Sequence, residues 1–314
     1  MKASHVAESE VSTQLDRVNP PARAARPVSV VIPAFECRAD LEANLPPLLD
    51  ELERRAVGDE VILVDDGGDD GLESWIAHAF PPPATFDSAR ADVRVLRRKK
   101  NAGPARSAVD GARAAGHELV LLLGCEARVR TGFLAPLVAA LDDAHVVAAS
   151  PRIVGADGCG LPRLVWRNGL LEIEPGDGDA SANEITDAAY ASMSALLARR
   201  DELVAAGFDA RFAPGDLADV DLSWTWKRAG RRVVTVPASV VEIARAAESA
   251  PSSRALELRN RLLLTWKHLD DADRRREHVE ALEALALDAL LACERSQLAA
   301  LVLALDSNDA RGPV

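Results

Sequence analysis

Four clusters of polar residues stand directly behind short apolar runs, and their types suit chemistry on a charged, phosphorylated small molecule. Pro33-Ala34-Phe35-Glu36 follows Val28–Ile32, and Asp65-Asp66-Gly67-Gly68-Asp69-Asp70-Gly71 follows Glu60–Val64. Arg97-Arg98-Lys99-Lys100-Asn101-Ala102-Gly103 follows Val93–Leu96, and Gly124-Cys125-Glu126 follows Leu119–Leu123. Carboxylates accept hydrogen bonds from a base or ribose, whereas cations and helix N-terminal amides meet phosphate. An acidic loop beside a basic loop therefore suits a nucleotide. Plainer roles compete at each cluster. Asp65-Asp66 can cap the helix that follows, Arg97–Lys100 can be a solvated charge run, and Cys125 can be a small buried hydrophobe. Asp69 and Asp70 read as turn residues or a cap, and Asp221 as a structural acid at a helix start.

Such clusters need elements to bring them together. The β-branched and leucine runs predict strands buried on both faces, as in a parallel sheet. Helices are predicted between them over Leu41–Arg55, Leu72–Ala79 and Gly103–Ala115, the first with Pro46-Pro47 near its opening turns and the first strand stopped by Pro33. Strands alternating with helices make an α/β doubly wound pattern, whose ligands sit at the carboxyl ends of the strands, where all four clusters fall. The second half is less regular. A helix near Gly132–Leu141, a strand near Val146–Ser150 and irregular strands and loops over Gly155–Asp187 are expected. Sheet is expected around Ala188–Arg199 and Val233–Pro237, with a helix over Val220–Ala229. From about Leu256 the chain reads as helical, and Glu277–Leu305 contains no Gly or Pro. Leucines there cover more than one face, which favours burial between elements or a contact with a second copy.

Charge narrows the function. Lys+Arg 37 against Asp+Glu 49 gives a net charge of -12, which argues against a general nucleic-acid binder. Four widely spaced cysteines and no disulfide framework suit reduced thiols and a cytoplasmic protein. No apolar run is long enough to span a bilayer, so any membrane association would be peripheral. The first strand lacks a following G-x-G-x-x-G, and no G-K-[ST] occurs, which removes dinucleotide oxidoreductases and P-loop NTPases.

The ordered landmarks resemble family 2 glycosyltransferases. Val28-Ser-Val-Val-Ile-Pro-Ala-Phe, Val61-Ile-Leu-Val-Asp-Asp-Gly and Asn101-Ala-Gly-Pro, with Gly111 and Gly116, are similar to that family's nucleotide half. Ala206-Gly-Phe-Asp-Ala-Arg-Phe, Asp219-Val-Asp-Leu-Ser, Arg228-Ala-Gly-Arg-Arg-Val-Val-Thr-Val-Pro and Arg259-Asn260-Arg261 with Lys267 are similar to its later segments. The resemblance implies a GT-A-type mixed sheet flanked by helices over residues 27–245, after a flexible tail at 1–26 and before a helical extension at 246–314. It implies a nucleotide-diphosphate sugar as donor and a saccharide, lipid-linked or other hydroxyl acceptor. Asp219 would be the general base of an inverting displacement. Pro33, Phe35, Glu36, Asp65, Asp66, Arg98, Lys99, Asn101 and Gly103 would hold the nucleotide sugar.

The chain departs from the family at the metal site. The usual Asp-x-Asp is Gly124-Cys125-Glu126, the usual Glu before the base is Ala218, a usual Asn is Val109, and a late His is Glu242. Three readings stand open. Glu126 with Glu242 holds Mg²⁺ or Mn²⁺; the basic run at 97–100 takes the place of the metal; or the chain is a degenerate relative that binds a sugar nucleotide or a protein partner without turnover.

Overall fold

The computed structural model describes residues 26–81, 91–155, 162–174, 184–213, 216–243 and 253–309. In chain order the elements are β1 (Val28–Ala34), α1 (Arg38–Arg55), β2 (Glu60–Asp65), α2 (Leu72–Ala79), β3 (Asp92–Arg97), α3 (Pro104–Ala114), β4 (Leu119–Leu123) and β5 (Ala127–Val129). They continue as α4 (Leu134–Ala140), β6 (Val146–Gly155), β7 (Arg163–Arg167), β8 (Leu170–Glu174), β9 (Thr186–Asp187), β10 (Ala195–Arg199) and α5 (Arg200–Ala206). A 3₁₀ turn (Ala210–Phe212) precedes α6 (Ala218–Arg228), β11 (Arg232–Ile243), α7 (Ser253–His268), α8 (Ala272–Leu291) and α9 (Arg295–Asp309).

The main sheet runs β3-β2-β1-β4-β10-β6-β11-β5, with β9 also on β11. The pairs β1–β2, β1–β4, β2–β3 and β6–β11 are parallel, and β10 inserts antiparallel between β4 and β6. This is the expected α/β doubly wound, mixed-sheet arrangement. Alternate residues of the central strands bury on opposite faces. Val30, Ile32, Leu121 and Leu123 pack with Leu41, Leu45, Ile76 and Leu137 of α1, α2 and α4. Val31, Ile62, Val120 and Leu122 pack with Ala108, Ala112, Leu203, Leu222 and Trp226 of α3, α5 and α6. A smaller cluster joins the β7–β8 hairpin, the start of α6, and Leu263 and Leu264 of α7.

Several boundaries differ from the expectations. β1 continues through Pro33, because pairing to β4 has already ended at Val31/Leu122 and no ladder donor is needed there. α1 carries Pro46-Pro47 in its interior rather than its opening turns. β5 and α5 were not marked by periodicity, the β7–β8 hairpin falls within the expected irregular strands of Gly155–Asp187, and only Ala195–Arg199 of the expected 188–199 segment is strand. The Gly- and Pro-free stretch breaks into α8 and α9 at Cys293, whose φ of 55° does what a terminal glycine usually does. Arg26, expected to end the tail, is anchored: it donates to Val138 O at 2.8 Å and pairs with Asp142. The rest of the expected tail lies outside the described residues, as does Cys159. Among the described residues no helix is long and apolar enough to cross a membrane. α8 and α9 leave Leu287, Leu290, Leu291, Val302, Leu303 and Leu305 exposed on their outer faces.

Candidate functional site

The strand order lays the four polar loops side by side, and contacts join each to the next. A side chain at Gly67 would begin 3.2 Å from Lys100 Cα, so the β2 loop lies against the β3 loop. A side chain at Gly68 would begin 3.3 Å from the Glu36 amide, and Glu36 Oε1 accepts from the Asp69 amide at 2.6 Å. That holds the β1 loop against the β2 loop, with Glu36 itself at φ 51°. The Cys37 thiol shares a packed cluster with that of Cys125, and the interaction of the two lowers the Cys37 pKa and raises that of Cys125. Asn44 Nδ2 donates to Cys125 O at 2.9 Å, completing the link to the β4 turn. The result is one continuous rim from Lys100 to Glu126.

The two acids closing β2 have different partners. Asp66 accepts from the Ala102 amide at 3.1 Å and the Gly103 amide at 2.8 Å, and pairs with Arg98 Nε at 3.0 Å. Arg98 also pairs with Asp110 of α3. The carboxylate of Asp66 therefore fixes the start of α3, where Gly103 takes φ 88° and Asn101 Oδ1 accepts from the Gly103 amide at 3.0 Å. Asp65 accepts from the Gly68 amide at 2.8 Å through Oδ1. Its Oδ2 is buried without a hydrogen bond, with Arg97 Nη1 3.5 Å away. Asp65 thus keeps acceptor capacity that Asp66 has spent. Phe35 is exposed beside these loops, and Lys99 and Lys100 are exposed with no hydrogen-bond or ion-pair partner among the described residues.

Asp219 lies in the first turn of α6, behind Leu217, a non-glycine at φ 70°. Its Oδ1 accepts from the Val220 amide at 2.9 Å, and its Oδ2 from the Met193 amide at 3.0 Å. Burial raises its pKa, the amide hydrogen bonds opposing the shift. The next residue, Ser194, accepts from the Gly124 amide at 2.9 Å. Met193-Ser194 therefore ties Asp219 to the β4 turn. Nearby, the Tyr190 hydroxyl is pushed up to about 12 by burial and by the charges of Asp219 and Asp216. Tyr190, Trp166, Trp224 and Lys227 line a cleft of about 970 Å³ along α6. Sequence reasoning passed over Tyr190, Asp110 and the Met193-Ser194 bridge, because none lies in a strand-end cluster.

Asp221 stands in the first turn of α6, as expected of an acid at a helix start, and is ion-paired there. Lys267 Nζ lies 2.7 Å from Oδ2, and His268 Nε2 lies 2.8 Å from Oδ1. His268 stacks on Trp224 at 4.9 Å between ring centroids, and Asn260 Nδ2 donates to Phe212 O and Asp216 O. Trp226 is core.

The residues at the metal position do not fit a resident Mg²⁺ or Mn²⁺. The Glu126 side chain folds back so that its Cδ lies 2.6 Å from where a side chain at Gly124 would begin. One carboxylate fills the space that two would share. Cys125 Sγ, a soft donor ill suited to hard cations, lies 3.8 Å from Glu126 Oε2. Glu242 is paired with Arg130 through two guanidinium nitrogens. Among the described residues no group of three or more His, Cys, Asp or Glu is arranged to hold an ion.

Comparisons with known proteins agree with this architecture. No curated protein sequence matches the chain. The structure is similar to GalNAc-T7 crystallised with UDP, GalNAc and Mn²⁺, with a TM-score of 0.62 and 18% identity, covering 79% of this chain and 49% of that one. The chain thus spans about half the length of GalNAc-T7. It is similar to the mannosyltransferase PcManGT from Pyrobaculum calidifontis in complex with GDP-Man and Mn²⁺, at TM-score 0.57 and 17% identity, covering 91% of this chain and 88% of that one. It is also similar to residues 1-349 of S. aureus TarS, at TM-score 0.55 and 15% identity, covering 82% of this chain and 70% of that one. The family model of glycosyl transferase family 2 matches residues 29–196, from the first strand to the strand beside the β4 turn, and the chain belongs to that family.

Proposed function

We propose that the protein transfers a sugar from a nucleotide-diphosphate sugar to an acceptor hydroxyl, with inversion at the anomeric carbon. The observation that carries this reading is the Met193-Ser194 bridge. It holds Asp219 through one backbone amide and the β4 turn through the next carbonyl, so that base and donor rim belong to one site.

The donor lies along the rim, its base beside Phe35 and the Asp65 carboxylate, whose buried Oδ2 makes no hydrogen bond and has Arg97 Nη1 3.5 Å away. Pro33, Glu36, Asp66, Arg98, Asn101 and Gly103 shape the rim rather than reach for the ligand. The acceptor enters from the cleft along α6, past Tyr190 and Trp224. Asp219 takes the hydroxyl proton as the acceptor oxygen attacks the anomeric carbon. The bond from that carbon to the diphosphate oxygen breaks in the same displacement, and the nucleoside diphosphate leaves. The elevated pKa of Asp219 strengthens it as a proton acceptor relative to an ordinary carboxylate. UDP- or GDP-sugars are the donor classes to try first, as the similar structures were solved with UDP, UDP-GlcNAc or GDP-Man. The protein works in the cytoplasm on a saccharide or lipid-linked acceptor.

A second reading, a sugar-nucleotide-binding module without turnover, is favoured by the saturated hydrogen bonding of Asp66 and the two amide bonds on Asp219. One experiment separates the two: thermal shift with UDP-, GDP- and dTDP-sugars, followed by release of nucleoside diphosphate with the stabilising donor. Stabilisation with release that Asp219→Asn abolishes supports the transferase. Stabilisation without release supports the binding module, and no stabilisation by any donor removes both.

A further inference from the structure

The mismatch between the β4 turn and a divalent ion extends to the charges around it. Mg²⁺ is often carried by one or two carboxylates together with substrate phosphates, so the loss of one carboxylate does not decide the matter by count. Pose and competition decide it. Glu126 is folded onto Gly124, in the space a second carboxylate's side chain would need, and beside a thiol. Glu242, the other candidate, is already neutralised by Arg130.

A leaving diphosphate still needs positive charge, and the arginines of the rim are committed elsewhere. Arg38 pairs with Glu42 and donates to Asp70 O, Arg97 lies between Asp65 and Asp69, and Arg98 between Asp66 and Asp110. The amides of residues 102 and 103, which could have met phosphate, are spent on Asp66. On the loops after β1 to β3 Lys99 and Lys100 remain, while past the β4 turn Arg128 is likewise exposed with no side-chain partner among the described residues. The two lysines are exposed, carry no partner among the described residues, and sit at one end of the continuous rim, with Lys100 Cα against Gly67. A lysine ammonium on a flexible stem suits a mobile phosphate better than an arginine locked in a carboxylate fork.

We infer that this protein holds the diphosphate of its donor without a resident divalent ion, using Lys99 and Lys100 as the counter-charge. The inference rests on the transferase or binding reading above, since both require a nucleotide diphosphate on the rim.

The test is calorimetric binding of UDP, GDP and dTDP to the full chain, in excess MnCl₂ and in EDTA. For the nucleotide that binds, the dissociation constants in the two conditions should agree within about threefold, and Lys99→Ala with Lys100→Ala should weaken binding by about tenfold in both. The double variant Gly124→Asp, Glu126→Asp rebuilds two carboxylates at the turn. It should acquire a dependence on Mn²⁺ of about tenfold or more that the natural chain lacks. Two results overturn the inference: loss of wild-type binding in EDTA with recovery in MnCl₂, or lysine variants that bind as well as wild type. If none of the three nucleotides binds under either condition, the reading beneath it falls, and the inference with it. Circular dichroism of each variant shows that a weakened constant does not reflect unfolding.

Discussion

Lys267 Nζ, in the last turn of α7, lies 2.7 Å from Asp221 Oδ2 and 3.0 Å from Asp209 Oδ2. One ammonium thus holds both the 3₁₀ turn and the helix that carries Asp219. Burial raises the Asp209 carboxyl, but hydrogen bonds from Arg211 and Lys267 outweigh it and hold the group well below the usual carboxylate range. A carboxylate with a depressed folded-state pKa adds stability above its unfolded pKa, and loses it as pH falls through the folded value.

Lys267→Met should therefore lower stability by about 2 kcal/mol at neutral pH, less than for a fully buried pair because Lys267 keeps some contact with water. The gap to wild type should narrow on acidification below pH about 4, the ordinary carboxylate pKa. Urea melts across that range read it. An unchanged midpoint at neutral pH would show that the ion pair contributes nothing.

Much of the fold was legible because the residues that build it carry a local signature. Three apolar runs became β1 to β3 with boundary shifts of one or two residues, and α2 and β4 fell on the expected positions. Their loops were legible as a site because a parallel sheet puts strand ends together. What the sequence hid was which charges cancel. Arg98 looked like a phosphate contact within a basic run, but it pairs with Asp66, 32 residues earlier in the chain, and with Asp110, a turn and a half into α3. Asp65 and Asp66 looked like an equivalent pair, yet Asp66 is hydrogen-bonded to the start of α3 while Asp65 Oδ2 makes no hydrogen bond. The break at Cys293 was hidden because a left-handed non-glycine leaves no mark in composition.

Arg98→Ala should consequently behave first as a stability variant. It removes a cation from buried Asp66, at a cost of about 1–3 kcal/mol, and lowers the melting temperature by several degrees. Asp110→Asn should cost less, as Arg98 keeps Asp66. A differential scanning experiment on the pair checks the ranking. Weakened nucleotide binding in Arg98→Ala with an unchanged melting temperature would instead make Arg98 a ligand contact.

Asp219→Asn should abolish transfer at little net cost in stability, and it should change how stability depends on pH. The sign follows from the raised pKa: burial disfavours the charged carboxylate, so the folded state binds a proton more readily than the unfolded one. This group's contribution to stability is greatest below its unfolded pKa and declines as pH rises through the folded value. A neutral amide avoids the burial cost of the charge but can accept from only one of the Val220 and Met193 amides, so the two effects oppose each other and its melting temperature at neutral pH should stay within a few degrees of wild type. In the wild-type enzyme the acid limb of kcat/KM should fall above the ordinary carboxylate pKa of about 3.9. A limb at or below that value, or turnover that survives in Asp219→Asn, would remove Asp219 from the mechanism.

Gly111, one of the landmarks of the family resemblance, has a packing reason for being glycine. It faces the sheet from α3, where an added Cβ would overlap Val31 Cγ1 and lie 2.9 Å from Val64 Cγ2. Both valines are fully buried in central strands, so neither can give way without moving β1 or β2. Alanine would ordinarily favour a helix over glycine by about 1 kcal/mol. Here overpacking should win, and Gly111→Ala should destabilise by about 1–3 kcal/mol. Because β1 leads into Glu36 and β2 ends in Asp65, the same push should weaken nucleotide binding. Gly132→Ala serves as the comparison: it has open space around it and acts through its φ of 79° alone. Denaturant midpoints and nucleotide titrations of the two variants separate the cases. Equal losses of stability with equal nucleotide affinity would mean that the α3–sheet contact does not set the position of the rim.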